Sequence, residues 1–445
     1  MILQDWWYTT LLGIERAMQP PLNKDIKADV VIVGAGAAGV SAAMAFVGTG
    51  LKVVVLEKNI FGGSSTGKSA GFLTPDSELE LSQLLRRYGV DGARDLWELA
   101  SSGVDKIVAN VKKYDIDCDL ILQDSLYMGN DADGLKATIE EVEARKKLGY
   151  EVQHYNKNEL DKMIGSPNYT GAVRYSGTYG INALRYTHGI KNVLLNNGLE
   201  VYESSEVKKI SGHTVFTHQG SVTAENIIFC ADKLEPQLTD YSKDIFHAQT
   251  FLSISEPLDD ADLKYLFPKD HFQCWDSDLV YSYFRLTGDN RLLLGGGTSL
   301  STFSNNYTTS PHIINGVINK FKAKFPGIKG LEFIQYWPGL IDTTRDLVPT
   351  VVRDEKHPYI HFVLGCVGLP WATFCGDFAA RHVIDNKSCN DHKYYQYLSA
   401  DRNFFVPIWM ENIIGKQLTF SINNGWAKYY QVDKNKPITF KENRF

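Results

Sequence analysis

The sequence predicts an α/β protein of two interleaved lobes, a Rossmann-type lobe and an antiparallel-sheet lobe. Three observations predict it. Residues 28–57 read as strand, glycine loop, helix and strand. The apolar segment 226–231 reads as a strand able to rejoin that first sheet. Residues 245–300 read as antiparallel, with 280–286 and 291–297 flanking the hairpin signal Thr287-Gly288-Asp289-Asn290.

Each element has its reason. The run 28–34 is continuously apolar, as a parallel strand covered on both faces must be. The segment 37–47, rich in alanine, reads as a helix, and 52–57 as the second buried strand. Residues 61–76 are too rich in Gly and Ser for a regular element. Helices are expected around 77–113 and 134–149, with Leu81, Leu84, Leu85 and Tyr88 on one stripe, and a strand near 118–128 between them. Further helices are expected over 183–197, 310–325 and from the loop after 361–365 to about 384. Strands broken by turns fill 198–232.

The 445 residues suffice for two or three domains with buried cores. The hydrophobic share of 44% and the charged share of 22% describe an ordinary globular chain. A net charge of −6 offers no electrostatic reason to bind nucleic acid or an anionic membrane. No stretch reaches the roughly 18–20 apolar residues of a membrane span, and the short run 404–410 contains Pro407. The start is interrupted by Asp5 and Glu15 and does not read as a signal peptide. Six cysteines without a CxxC pair predict reduced thiols and a cytoplasmic location. The eleven histidines show neither HxxxH nor HExxH spacing, so no metal site is expected.

The loop Gly34-Ala35-Gly36-Ala37-Ala38-Gly39 follows an apolar strand, opens a helix and precedes a second strand that ends in Glu57 and Lys58. That context makes it a dinucleotide-binding signature. Gly34 permits the tight turn, Gly36 lets a pyrophosphate approach, and Gly39 lets the helix pack on the strand. The helix start offers free N–H groups to phosphate. Glu57 is placed to accept both hydroxyls of a ribose. The loop alone leaves FAD or NAD open. The following segment, with Ser64, Ser65, Gly67, Lys68, Ser69, Ala70 and Gly71, can supply the extra backbone contacts that FAD needs.

Five stretches, 30–58, 61–73, 283–297, 336–351 and 364–380, together with the tail 424–433, resemble in order the D-amino-acid-oxidase-like superfamily of FAD-dependent oxidoreductases, and above all its gamma-glutamylputrescine oxidase-like amine oxidases. The resemblance implies FAD as cofactor and a discontinuous FAD-binding domain over 1–80, 165–240 and 335–390. It implies an antiparallel substrate or cap domain over 81–164 and 241–334, with 391–445 as a tail packed on the body. By resemblance, Val207 lies near the adenine, Cys230 and Ala231 near the pyrophosphate, and Gly365, Val367, Gly368, Leu369 and Pro370 at the flavin pyrimidine edge. Gly339 belongs to the cofactor set as well. Cys366 lies in a flavin loop, but its place does not match the pattern of covalent attachment, so FAD is expected to be held non-covalently.

The implied chemistry is oxidation of the C–N bond of a primary or secondary amine by hydride transfer to flavin N5, giving an imine that hydrolyses. Oxygen or a quinone would accept the electrons. Tyr283 and Arg285 share a strand face, so Tyr283 could border an amine and Arg285 an anionic group. Trp337 could wall the cavity, and Lys68 could contact the ring. The Trp337-Pro338-Gly339-Leu340-Ile341 stretch lacks the arginine that clamps a carboxylate in amino acid oxidases, unless Arg285 or Arg345 takes that role. An amino acid oxidase or dehydrogenase and a non-catalytic accessory flavoprotein are the alternatives.

Overall fold

A computed structural model describes residues 1–12, 18–76, 78–232, 238–298, 302, 307–402, 406, 408–425, 430–431 and 439–440. Residues 404, 405 and 407 of the short apolar run and much of the tail 424–433 lie outside these described residues.

The first lobe is built on five parallel strands in the order Glu200–Tyr202, Val53–Leu56, Asp25–Val33, Ser221–Phe229 and Ile360–Leu364. This is the 3-2-1-4-5 arrangement of a Rossmann-type sheet. The segment 226–229 does rejoin it, with Asn226 opposite Val30 and Phe229 opposite Val33. Val30 to Val33 and Val53 to Leu56 are all buried, because helices or loops cover both sheet faces.

Ala37–Ala45 is the helix after the glycine loop, and its residues from Ala37 to Ala43 are buried. A helix buried on all sides needs small residues, and this one consists largely of Ala and Gly. Its second cover is the last long helix, Leu369–Ile384. A Cβ at Gly376 would overlap the carbonyl of Ala38, so the two helices cross at contact distance because both positions are small. Leu81–Tyr114 packs on the same helix in turn, with Gly103 against the carbonyl of Pro370. It bends at Gly89, whose φ of 71° breaks the helical run.

The second lobe is a nine-stranded sheet in the order Ile2–Leu3, Phe333–Thr343, Phe246–Pro257, Arg291–Gly296, Tyr283–Leu286, Phe272–Asp276, Asp124–Gly129, Gly171–Tyr175 and Gln153–Asn156. Its central pairs are antiparallel. The expected hairpin forms, with Phe284 opposite Leu294 and Asn290 in the left-handed region at φ 60°. Phe284, Leu294, Phe251 and Tyr336 pack with helix Pro311–Lys324 in one core, which leaves the alternate residues for the opposite face.

Four segments sit elsewhere than the sequence-drawn boundaries put them. Ile2–Leu3, Gly171–Tyr175 and Phe333–Thr343 pair into the nine-stranded sheet, whereas Leu81–Tyr114 contributes to the core under the dinucleotide sheet. Strand pairing is a non-local choice, and local pattern does not encode it. Among the described residues no helix is long and apolar enough to cross a membrane.

Past the last long helix, the chain is tied back by Arg402, which donates from Nε and Nη2 to both carboxylate oxygens of Asp346, at 2.8 and 2.7 Å. Both residues are buried. Burial pushes the Asp346 carboxyl up, but the charge and hydrogen bonds of Arg402, together with Arg87, outweigh it and hold it below the ordinary range. Removing one member of such a pair leaves an uncompensated buried charge. Arg402→Ala is therefore expected to cost about 3–5 kcal/mol in denaturant unfolding. A depressed carboxyl stabilises the fold above its unfolded pKa and loses that contribution as pH falls through its folded value. The wild-type melting temperature should thus drop with acid more steeply than that of Arg402→Ala.

Candidate functional site

The glycine loop has the geometry that the sequence predicts. Gly34 sits at φ 97°, and a Cβ there would lie 2.7 Å from the carbonyl oxygen of Cys230. A Cβ at Gly39 would overlap Gly34 O, so only glycine lets the helix start this close to its strand. Gly36 caps Ala37–Ala45 with extended backbone and no side-chain bond. Ala38 and Gly39 are buried in the first turn. The Ala37 amide donates 2.9 Å to Thr66 Oγ1, a contact that joins this loop to the Gly/Ser loop and that sequence reasoning missed.

Glu57 is 4% exposed and closes the second strand. Its Oε2 accepts from Ala35 N at 2.9 Å and its Oε1 from Asn59 N at 2.8 Å. Burial raises its pKa, against those two backbone bonds. The carboxylate is thus fixed under the glycine loop. Lys58 beside it is exposed. A second buried acid, Glu203, accepts from Phe61 N at 2.6 Å and Lys191 Nζ at 3.1 Å and shapes the same corner. No sequence pattern marks it. Val207 is buried nearby in the chain.

The Gly/Ser loop lies between the two lobes. Ser65 Oγ is 2.8 Å from Asp232 Oδ2 and 2.9 Å from Leu340 O, which links it to the strand ends that carry Cys230, Ala231 and Gly339. Ser64 and Lys68 are half-buried, and Gly67 and Gly71 are buried. Ser69 Oγ is buried and has no partner among the described residues. A buried hydroxyl normally has one, so this orphan fits a cofactor with polar edges. The loop from Gly365 leads into the helix Leu369–Ile384, which touches Phe72–Leu73 just after the Gly/Ser loop. Gly365 at φ 63° packs on Thr344, Cys366 and Val367 follow, and Gly368, Leu369 and Pro370 open the last long helix with its N-terminal amides. These residues fit a flavin dinucleotide, with acid at the ribose end, a helix start for phosphate and a second helix start for the ring.

The sheet face toward this loop carries Tyr283, Arg285 and Trp337. Arg285 is not free to clamp an anion. It is 1% exposed, and its guanidinium donates to Ala70 O at 2.7 Å, Ile181 O at 2.7 Å and Leu286 O at 3.1 Å. Burial lowers its pKa to about 10, and it stays charged. Arg345 is equally committed, to Asp244 and Glu411 at 2.7 and 2.8 Å. Trp337 is 2% exposed and donates to Lys68 O at 3.1 Å, so it supports the loop from behind rather than walling an open cavity.

Tyr283 is half-buried and makes an edge contact with Phe72 at 5.8 Å and a tilted one with Tyr281 at 5.6 Å. Its hydroxyl bonds to Thr250, and burial pushes its pKa up to about 12. Tyr281 donates to Glu78 Oε1 at 3.0 Å. Burial pushes Glu78 up to about 7, opposed by the Tyr281 bond and reinforced by Asp76. Gly339 borders open space, since a Cβ there would meet only Thr250 Oγ1, at 3.9 Å. Glu78 escaped the sequence reading because nothing in its local pattern brings it to a strand two hundred residues on.

Residues 29–382 match the family of FAD-dependent oxidoreductases known as DAO. The chain belongs to that family. It is an FAD-dependent oxidoreductase, with FAD as its cofactor. It is 29% identical to the gamma-glutamylputrescine oxidoreductase of Escherichia coli over 82% of this chain and 84% of that protein. It is 27% identical to the probable oxidoreductase OrdL of Haemophilus influenzae over 82% and 85%. Its fold is that of glycine oxidase from Geobacillus kaustophilus, with a TM-score of 0.72 at 17% identity over 85% of this chain and 100% of the other. L-proline dehydrogenase from P. horikoshii is similar at a TM-score of 0.70, with 16% identity over 83% and 97%.

Gly39→Ala is expected to remove FAD binding, because the new methyl collides with backbone rather than with a movable side chain. The purified variant should be colourless after dialysis against FAD, with a melting temperature below that of wild-type apoprotein.

Proposed function

We propose that this flavoprotein oxidises the C–N bond of a primary or secondary amine that is not recognised through a carboxylate. One observation carries the reading. Arg285 and Arg345, the two arginines on offer as a carboxylate clamp, are bonded to backbone carbonyls and to acids, whereas an acid, Glu78, stands with Tyr281 beside Tyr283. An acidic, aromatic pocket edge attracts an ammonium group.

In this reading Gly34, Gly36, Ala37, Ala38 and Gly39 hold the pyrophosphate and Glu57 the ribose. Ser64 to Gly71 and Gly365 to Pro370 hold the ring. Bound FAD supplies the acceptor for the hydride that leaves the carbon next to nitrogen. Tyr283 and Phe72 confine the amine above Gly339, and Glu78 holds its cationic form at the entrance. The amine reacts once neutral, and proximity is the protein's main contribution. Water then adds to the imine carbon and releases the amine fragment. Oxygen or a quinone takes the electrons from the reduced cofactor.

Non-covalent attachment is supported by the Cys366 thiol. Its hydrogen bond to Cys375, with burial, raises it well above the ordinary thiol range, and a protonated thiol is a poor nucleophile. Acid precipitation is expected to leave all flavin in the supernatant. All six cysteines are free, which supports a reducing compartment such as the cytoplasm.

The test is an anaerobic titration of the flavin band with simple amines, acylated diamines and D- and L-amino acids. Bleaching by amines alone supports the proposal. Bleaching by amino acids alone moves the assignment to an amino acid oxidase, and no bleaching moves it to an accessory flavoprotein. Glu78→Gln should raise KM for the amine about tenfold, the equivalent of roughly 1.4 kcal/mol, with kcat little changed. Because burial lifts Glu78 to about 7, its ionised form is lost as pH falls below that value. The acidic limb of kcat/KM should therefore lie near pH 7 and vanish in Glu78→Gln.

A further inference from the structure

The backbone of the Gly/Ser loop is held from behind at four consecutive carbonyls. Lys68 O accepts from Trp337 Nε1 at 3.1 Å, Ser69 O from Trp7 Nε1 at 2.8 Å, Ala70 O from Arg285 Nε at 2.7 Å, and Gly71 O from Ile181 N at 2.9 Å. The three side-chain donors also brace one another. The indoles of Trp7 and Trp337 meet edge-on at 6.5 Å, and the Arg285 guanidinium lies 5.8 Å over the Trp7 ring. All three are buried.

A trans peptide points its N–H opposite to its C=O. Fixing Ser69 O and Ala70 O therefore turns the amides of Ala70 and Gly71 away from the braces. Among the described residues neither amide meets a protein acceptor, and the Ser69 hydroxyl has none either. A donor on the carbonyl also polarises its peptide unit and makes the N–H a stronger donor. Arg285 does so with a full charge.

We propose that Trp7, Trp337 and Arg285 are positioning residues that set the redox poise of FAD through the 68–71 backbone. Aimed and polarised amides favour whichever cofactor state carries more negative charge, and that is the reduced one. The braces thus raise the reduction potential without touching substrate. This inference rests on the FAD assignment and is independent of the amine reading, because its test needs no substrate.

The experiment is a spectroscopic reductive titration of the holoenzyme against a reference dye, on wild type, Trp7→Phe, Trp337→Phe and Arg285→Lys. Trp97→Phe, at a buried indole that packs on Tyr150 and Tyr175 and makes no hydrogen bond to the 68–71 backbone among the described residues, is the control. FAD affinity is measured on each apoprotein in the oxidised and the reduced state. Phenylalanine keeps an aromatic ring at the site and removes the N–H donor together with the pyrrole half of the indole. Trp7→Phe and Trp337→Phe should each weaken reduced FAD about three- to tenfold more than oxidised FAD. A tenfold difference lowers the two-electron midpoint by about 30 mV. Arg285→Lys should do the same, and Trp97→Phe should leave the midpoint in place. Should one tryptophan variant fail to fold, the other and Arg285→Lys give the same reading. A midpoint unmoved in the variants that retain FAD, or equal weakening of both cofactor states, overturns the proposal.

Discussion

Everything at the cofactor site depends on how closely the last long helix can lie on the first. Ala38 and Gly376 come from near opposite ends of the chain, and a single methylene at Gly376 would strike the Ala38 carbonyl. Gly39 against Gly34 repeats the same constraint between helix and strand, and Gly103 against Pro370 repeats it between helices. Together these contacts bring the N-terminal glycine loop and the loop from Gly365 to Pro370 to one place. Packing at this density tolerates no extra volume where the obstacle is backbone, because backbone cannot rotate away as a side chain can.

This constraint explains the uneven legibility of the sequence. The strand 28–34, the glycine loop, Glu57 and the hairpin at Thr287 to Asn290 each follow from local pattern, and each appears where that pattern puts it. Sheet membership did not follow. Phe333–Thr343 reads locally like any buried strand, yet it takes its place between Ile2–Leu3 and Phe246–Pro257. Arg285 shows the same gap at the level of one residue. Its position on the face of Tyr283 was legible from period two. That its donors would meet Ala70, Ile181 and Leu286, rather than a ligand, depends on a loop far away in the chain. Trp7 lies before every recognisable signature, and nothing around it announces a hydrogen bond to Ser69.

Charge at the site follows a consistent logic. The acids Glu57 and Glu203 are buried but satisfied by backbone amides and Lys191, so they are rigid acceptors. Arg345 and Arg402 are buried with carboxylate partners and fasten Phe333–Thr343 and the loop after it to residues beyond the last long helix. Glu78 differs from both groups. Among the described residues it has a tyrosine partner and no ion-pair partner, and burial pushes it up to about 7. A carboxyl so placed can exchange its proton for a bound cation in the range where amines are themselves protonated, and the structural ion pairs cannot.

Tyr283 and Arg285 are two residues apart on one strand, and this spacing couples the pocket to the cofactor loop. Tyr283 reaches Phe72 and Thr250, and Arg285 reaches Ala70 and Ile181. A shift of that strand by one residue would turn both side chains to the other face at once. The cross-strand register of Tyr283 with Gly295 prevents it, because the tyrosine ring covers a position where any side chain would collide. One register therefore fixes both the place of the Tyr283 ring and the Arg285 bonds that orient the 70–71 backbone.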